Sequence, residues 1–162
     1  MELKKSIPYS MIAVLLGMIC LGVYSHVAGS DVHIVKRVID GDTIVLDDGR
    51  HIRLIGVDAP EVDSPYTKAE PFGSESRAYM DRLVERRIVT IKTGRERYDK
   101  YGRTLAYVYL NRTMVNAMII RNGYAKAYRR FNFPERELFI NYEKEARSKG
   151  IGMWRKKPKS RL

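Results

Sequence analysis

Residues 33–61 read HIVKRVIDGDTIVLDDGRHIRLIGVDAPE, and the fold class follows from how this stretch divides into strands. His33–Ile39 carries β-branched residues at short intervals and reads as an extended strand. Asp40-Gly41-Asp42 is turn chemistry, and Thr43–Leu46 is a second strand. Asp47-Asp48-Gly49 closes a hairpin, with glycine at the left-handed position. Arg50–Val57 follows as a third strand. Its alternation puts His51, Arg53 and Ile55 on one face and Ile52, Leu54 and Gly56 on the other.

Downstream, Asp58–Pro71 contains three prolines and no period, so it reads as a loop. Ser74–Arg86 reads as a helix, with Tyr79, Leu83 and Arg86 on one stripe beside Ala78 and Val84. Ile88–Lys92 is a fourth strand, Thr93–Gly102 a charged loop, and Thr104–Leu110 a fifth strand rich in Tyr and Val. Val115–Asn122 is a short apolar helix stopped by Gly123. Pro134–Lys149 is the last helix, with Leu138, Tyr142 and Ala146 on one face at i+4 spacing and Gly150 beyond its end. Short strands interrupted by one helix and followed by two more indicate an α+β fold. Strands this short need closure to hide their edges, which points to a five-stranded Greek-key β-barrel of the OB-fold type with three helices.

The chain has 162 residues, 44% of them hydrophobic, enough for one domain with an appendage and too many for a disordered chain. One cysteine, Cys20, excludes an internal disulfide and a cysteine-based zinc site. His26, His33 and His51 have no metal-ligand spacing. Lys and Arg outnumber Asp and Glu by 30 to 19, a net charge of +11 that favours polyanionic partners. Lys4 and Lys5 precede an apolar run, Met11–Val23, preceding the small residues Ser25, Ala28, Gly29 and Ser30. Residues 1–29 therefore read as a signal peptide or an N-terminal membrane anchor, an N-terminal hydrophobic helix with a tether through residues 7–24. The expectation is an exported domain at 30–154, secreted or periplasmic after cleavage or else anchored outside the cytoplasm, with a basic tail at 155–162.

Three segments concentrate chemistry: Asp40-Gly41-Asp42-Thr43, Arg53–Glu61 and Asp99-Lys100-Tyr101-Gly102-Arg103. Pro60 stiffens the second, so Asp58 and Glu61 project from one short arc. Carboxylate oxygens suit a hard divalent cation, most naturally Ca2+. Guanidinium forks suit a phosphate. A surface ion-pair network would use the same residue types, but such pairs contribute only about 0–1 kcal/mol each and give no reason for the cluster.

The three segments resemble the signatures of the staphylococcal nuclease (thermonuclease) family. The similarity runs from about Val35 to Trp154 and includes Pro71-Phe72-Gly73-Ser74-Glu75, Leu105–Tyr109, Met114-Val115-Asn116 and Asn122–Lys126. The resemblance implies an OB-fold barrel that hydrolyses DNA and RNA phosphodiesters with Ca2+, cutting the P–O5′ bond. By the same resemblance, Asp42, Asp58 and the Ala59 main-chain carbonyl would hold the ion, and Asp40 would stand behind them. Glu61 would be the general base, and Arg53 and Arg103 would bind the phosphate. Lys100 and Tyr101 would lie near a terminal phosphate. The family's base-stacking tyrosines align poorly here; Tyr128 is the candidate, with Phe131 or Tyr124 as substitutes.

Two other functions compete with a monomeric Ca2+-dependent nuclease. One is a catalytically silent nucleic-acid-binding module, which would have no reason to keep Asp42, Asp58, Glu61, Arg53 and Arg103 together. The other is a membrane-tethered domain whose basic surface binds anionic lipid, which leaves the carboxylate arc unexplained.

Overall fold

In the computed structural model, residues 31–155 are described, and those from Val32 onward belong to one compact unit. The apolar run at 11–23 and the tail beyond Arg155 lie outside them. Among the described residues no helix is long and apolar enough to cross a membrane.

Among the described residues there are eight strands and three helices: β1 Asp31–Val38, β2 Thr43–Leu46, β3 His51–Leu54, β4 Val57–Asp58, α1 Gly73–Val84, β5 Ile88–Tyr98, β6 Thr104–Leu110, β7 Thr113–Met114, α2 Val115–Arg121, β8 Lys126–Ala127 and α3 Arg136–Ser148, then a 3-10 turn at Gly152–Trp154. The main sheet runs β3-β2-β1-β5-β6-β7, and a further pairing of β3 with β6 joins its ends. That closing pair is parallel, with Arg53 opposite Leu105, while β1–β2, β2–β3 and β5–β6 are antiparallel. Five strands thus close a mixed barrel of OB-fold type, and closure removes the exposed edges that such short strands would otherwise carry. Val35, Ile44, Leu46, Ile52, Leu54, Ala106 and Val108 fill its interior, and Met80, Ile119, Ile120 and Phe139 from the three helices extend the same core.

Three details of the strands depart from the sequence reading. The third strand ends at Leu54 rather than Val57: Gly56 turns with φ +75°, and Val57–Asp58 pairs instead with Lys126–Ala127. The turn carries Ile55 into the core, off the face expected to hold Arg53. The charged segment after Lys92 continues as strand to Tyr98 instead of forming a loop, because β6 pairs with it through a register irregularity between Thr93 and Tyr98. Its side chains are mostly exposed, so no apolar alternation marked it.

The helix faces also shift. On α1 the buried line is Ser76, Met80 and Val84, while Arg86 lies past the helix end, exposed. On α3 it is Phe139, Ile140, Glu143 and Ala146, and Leu138 faces solvent. Pro134 precedes α3, which begins at Arg136. A buried carboxylate replaces the expected apolar position: Glu143 accepts from the Ala127 amide at 2.9 Å and pairs with Arg129 at 2.8 Å and Arg147 at 2.7 Å.

Candidate functional site

Asp42 lies between β1 and β2, and its carboxylate is almost fully buried. Asp40 shapes the turn by accepting from the Asp42 amide at 2.9 Å. Gly41 is required there by contact: a Cβ would sit 2.0 Å from Ser76 Oγ and 2.6 Å from Ala59 Cβ. The loop is thus pressed onto α1 and onto the segment after β4. Asp42 Oδ2 accepts the Ala59 amide at 2.9 Å, which fixes one acidic segment against the other.

Two arginines meet at this carboxylate. Arg53 Nη1 lies 2.9 Å from Asp42 Oδ1 and donates to the Val57 carbonyl at 2.9 Å. Thr43 Oγ1 donates to Asp42 Oδ1 at 3.1 Å and accepts from Arg103 Nη1 at 3.3 Å. Arg103 is held from behind, its Nε 2.7 Å from Asp99 Oδ2 and its amide on Asp99 Oδ1. The chain Arg53–Asp42–Thr43–Arg103 is continuous. Each guanidinium uses Nη1 on it, and Nη2 of each has no protein partner among the described residues. Those donors are geometrically suited to a tetrahedral oxyanion.

Burial pushes the Asp42 carboxyl up to about 8, against the pull of Arg53, with Asp40 adding to the rise. Glu61 is raised as well, by partial burial first and then by Asp40, while Arg53 and Arg103 oppose the rise. Its position is set by backbone: Glu70 N donates to the Glu61 carbonyl at 2.9 Å, which closes the loop between them, and Gly73 N donates to Glu70 O at 3.1 Å. Phe72, at φ 76°, turns the chain into α1, and Gly73 passes so near Glu61 that a Cβ would touch its carbonyl oxygen at 2.1 Å.

Asp58 stands at the end of β4 opposite Lys126, half-buried, next to the buried Ala59. The carboxylates of Asp42 and Asp58 and the Ala59 carbonyl are hard oxygens, a donor chemistry that suits an alkaline-earth cation rather than a soft metal. A positive ion would also relieve the burial cost that now falls on Asp42.

A pocket of about 350 Å³ opens beside the arginines, with Arg53, Arg103, Lys100, Tyr101, Tyr128 and Phe131 in its wall. Tyr101 is exposed, with the Lys100 ammonium 4.9 Å and the Arg103 guanidinium 5.5 Å from its ring centre. The Tyr128 and Phe131 rings lie 4.8 Å apart, and the Tyr128 amide is fixed on Gly56 O at 2.9 Å. Tyr124 is not in this wall; it stacks on Tyr79 at 4.1 Å.

Several supporting residues carried no strong signal in the sequence. Thr43 and Asp99 were visible only as members of short motifs. Asn116 looked like one polar residue in an apolar helix. It is buried, accepts from Val108 N at 2.9 Å and donates to Ile55 O at 3.0 Å, which ties α2 and β6 to the turn that carries the second acidic segment. His33 has no metal-ligand spacing to the other histidines, but it has carboxylate neighbours in the fold. Across the barrel strands it joins Asp47 and Asp48, with ligand-type atoms all within 4.8 Å, although Arg50 already contacts both His33 and Asp48.

Comparison with known proteins agrees with the barrel fold. Residues 51–156 match the family described as staphylococcal nuclease homologue. The thermonuclease of Staphylococcus intermedius is 41% identical over 128 residues, covering 75% of this chain and 75% of the relative. That of Staphylococcus hyicus is 37% identical over 131 residues, covering 78% of each. The micrococcal nuclease of Shigella flexneri is 36% identical over 132 residues, covering 74% of this chain and 71% of the relative.

Proposed function

This chain belongs to the staphylococcal nuclease homologue family, and from that premise we propose that it is a Ca2+-dependent nuclease hydrolysing phosphodiester bonds of DNA and RNA. The observation that carries the reading is the meeting of Arg53 and Arg103 at Asp42, one directly and one through Thr43. Two guanidinium groups of like charge are gathered around one carboxylate, and the Nη2 donors of both are left for a second anion.

Asp42, Asp58 and the Ala59 carbonyl would hold the ion, with Asp40 orienting the Asp42 backbone. When bound, the ion lowers the pKa of water and offsets the charge of a phosphoryl oxygen. Glu61 takes the proton of the attacking water, and the rise in its pKa brings it closer to a working base. Arg53 and Arg103 donate through Nη2 to the equatorial oxygens, where charge grows as the P–O5′ bond breaks. Neither arginine must reorganise, because each is already fixed by a carboxylate. Lys100 and Tyr101 contact a neighbouring phosphate, and Tyr128 with Phe131 stacks a base.

The domain spans residues 30–154, acts as a monomer and is exported by residues 1–29, which are either cleaved or kept as a tether through 7–24. The test is digestion of single- and double-stranded DNA and of RNA by the purified chain with Ca2+ titrated in and then removed with EGTA. Cutting that starts with Ca2+ and stops with EGTA is expected. Equal cutting in EGTA would refute the metal assignment, and binding without cutting under all conditions would leave a silent binding module. N-terminal sequencing of the exported product separates cleavage from anchoring.

A further inference from the structure

A second groove, of about 710 Å³, is bounded by α2 and α3 and shares no lining residue with the pocket beside Arg53 and Arg103. The two lie at opposite ends of β6. Arg103 stands just before its first residue and Arg112 just past its last, so seven residues separate them, roughly 20 Å of extended strand. Met114, Met118 and Tyr142 line the groove half-buried, and Leu138 lines it exposed. Arg112, Arg121 and Lys149 line it with exposed cationic side chains, beside one carboxylate, Glu145.

The charges in this groove do not cancel. Lys149 Nζ lies 2.5 Å from Glu145 Oε1, which occupies the carboxylate. Arg112 and Arg121 have no hydrogen-bond or ion-pair partner among the described residues. The Arg121 guanidinium instead lies 5.7 Å from the Tyr142 ring centre. Two unpaired guanidinium groups beside apolar and aromatic side chains make the combination that holds unpaired nucleic acid: the cations meet phosphates, and bases lie against the apolar and aromatic surface. An acidic peptide would meet the same cations. A nuclease, however, already holds part of a phosphate-bearing strand, and the rest of that strand is present at high effective concentration.

Resting on the nuclease reading above, we propose that the groove between α2 and α3 is a second binding site for single-stranded nucleic acid, in which Arg112 and Arg121 engage backbone phosphates remote from the linkage being cut. Long strands then bind at both sites and short ones at the active-site pocket alone. The groove sets KM for long strands and leaves kcat unchanged.

The probes are labelled oligothymidylates of about 4 and about 20 nucleotides, bracketing the strand lengths that one barrel of this type covers. Affinity is measured in EGTA over a salt series, and KM and kcat with Ca2+. The full chain is compared with the double variant Arg112→Gln/Arg121→Gln and with Leu138→Glu, which sets a carboxylate in the groove at an exposed position. The control is Lys36→Gln/Arg37→Gln, which removes the same charge from exposed positions on β1. For the long strand, the arginine pair should raise Kd and KM about tenfold, the scale of two exposed ion pairs. It should also flatten the slope of log affinity against log salt by about 1.4, at about 0.7 for each phosphate of a single strand. Leu138→Glu should weaken the long strand as well. The short strand and kcat should not change, and the β1 pair should stay within about twofold of wild type. Equal losses from both charge pairs, an equal loss for the short strand, or no loss in either groove variant overturns the proposal. So does a groove pair that weakens binding of an oligoglutamate peptide and spares the long strand. Groove-dependent binding without any cutting upholds the second site and refutes the nuclease reading; cutting with a KM indifferent to the groove variants does the reverse.

Discussion

Replacing Gly73 by alanine tests whether Glu61 is positioned by backbone contact. Gly73 opens α1, and a Cβ on it would sit 2.1 Å from the Glu61 carbonyl oxygen and 2.8 Å from its carbonyl carbon. Ordinary contact begins near 3.4 Å, so the two must move about 1.3 Å further apart. Both obstacles are main chain, and no flexible side chain can yield. Either the start of α1 retreats, which strains the bond from Gly73 N to Glu70 O, or the segment carrying Glu61 shifts away from Asp42 and the arginines. A misplacement on the order of 1 Å at a reacting group costs roughly 10²-fold in rate. Gly73→Ala should therefore fold, lose about 1–3 kcal/mol of stability to overpacking, and lose about 100-fold in kcat. The control is Gly49→Ala at the far end of β2. Its φ of +87° strains any side chain, but nothing lies within 4 Å of the added Cβ. It should cost about 1 kcal/mol and leave the rate alone. Initial rates on denatured DNA and urea unfolding of both variants decide the matter. A folded Gly73→Ala that cuts within about threefold of wild type would refute the positioning argument.

Three further substitutions probe the links around the site. Thr43→Val removes the hydroxyl between Asp42 and Arg103 while keeping the shape of a buried strand residue; kcat should fall about tenfold with a stability loss near 1 kcal/mol, and an unchanged rate would show that Asp99 alone holds Arg103. Asn116→Asp turns an N–H donor into an acceptor facing the Ile55 and Ala106 carbonyls, so urea unfolding should show a loss of at least about 3 kcal/mol. Burial tends to raise the Glu143 carboxyl, but the Ala127 amide and the Arg147 and Arg129 guanidinium groups outweigh it and hold Glu143 below the usual range. A carboxyl lowered on folding stabilises above its unfolded value near 4.3 and loses that contribution as pH falls through the lower folded value. Glu143→Gln should therefore cost about 2–3 kcal/mol near pH 7, and its deficit against wild type should shrink as urea unfolding is repeated toward pH 3. A deficit independent of pH would mean that packing, not charge, is at stake.

The strands were legible where burial filled them with β-branched, aliphatic and aromatic residues. Thr43–Leu46 and Thr104–Leu110 appear with the bounds that the sequence suggests, because both contribute side chains to the barrel interior. The outer half of β5 was not legible, since its residues Arg95–Tyr98 face solvent and only the partner strand makes them a strand. The helix faces misled for a related reason. Leu138 fits an apolar stripe by spacing, yet the side of α3 that meets the barrel carries Glu143, whose charge is matched by Arg129 and Arg147, one of them from another segment.

By itself the sequence determined the chemical inventory: an α+β chain with a basic excess, two acidic turns, two arginines and a mobile choice among aromatics at 124, 128 and 131. These follow from residue type and near-neighbour spacing, which act within a turn or a strand. Only the tertiary structure decided that Arg53 and Arg103 share Asp42 through Thr43, that Tyr128 and Phe131 rather than Tyr124 line the pocket, and that Gly73 fixes Glu61. Each of those joins segments brought together by closure of β3 on β6 and by packing of the helices beneath, and contacts between distant segments depend on shape that no local pattern encodes.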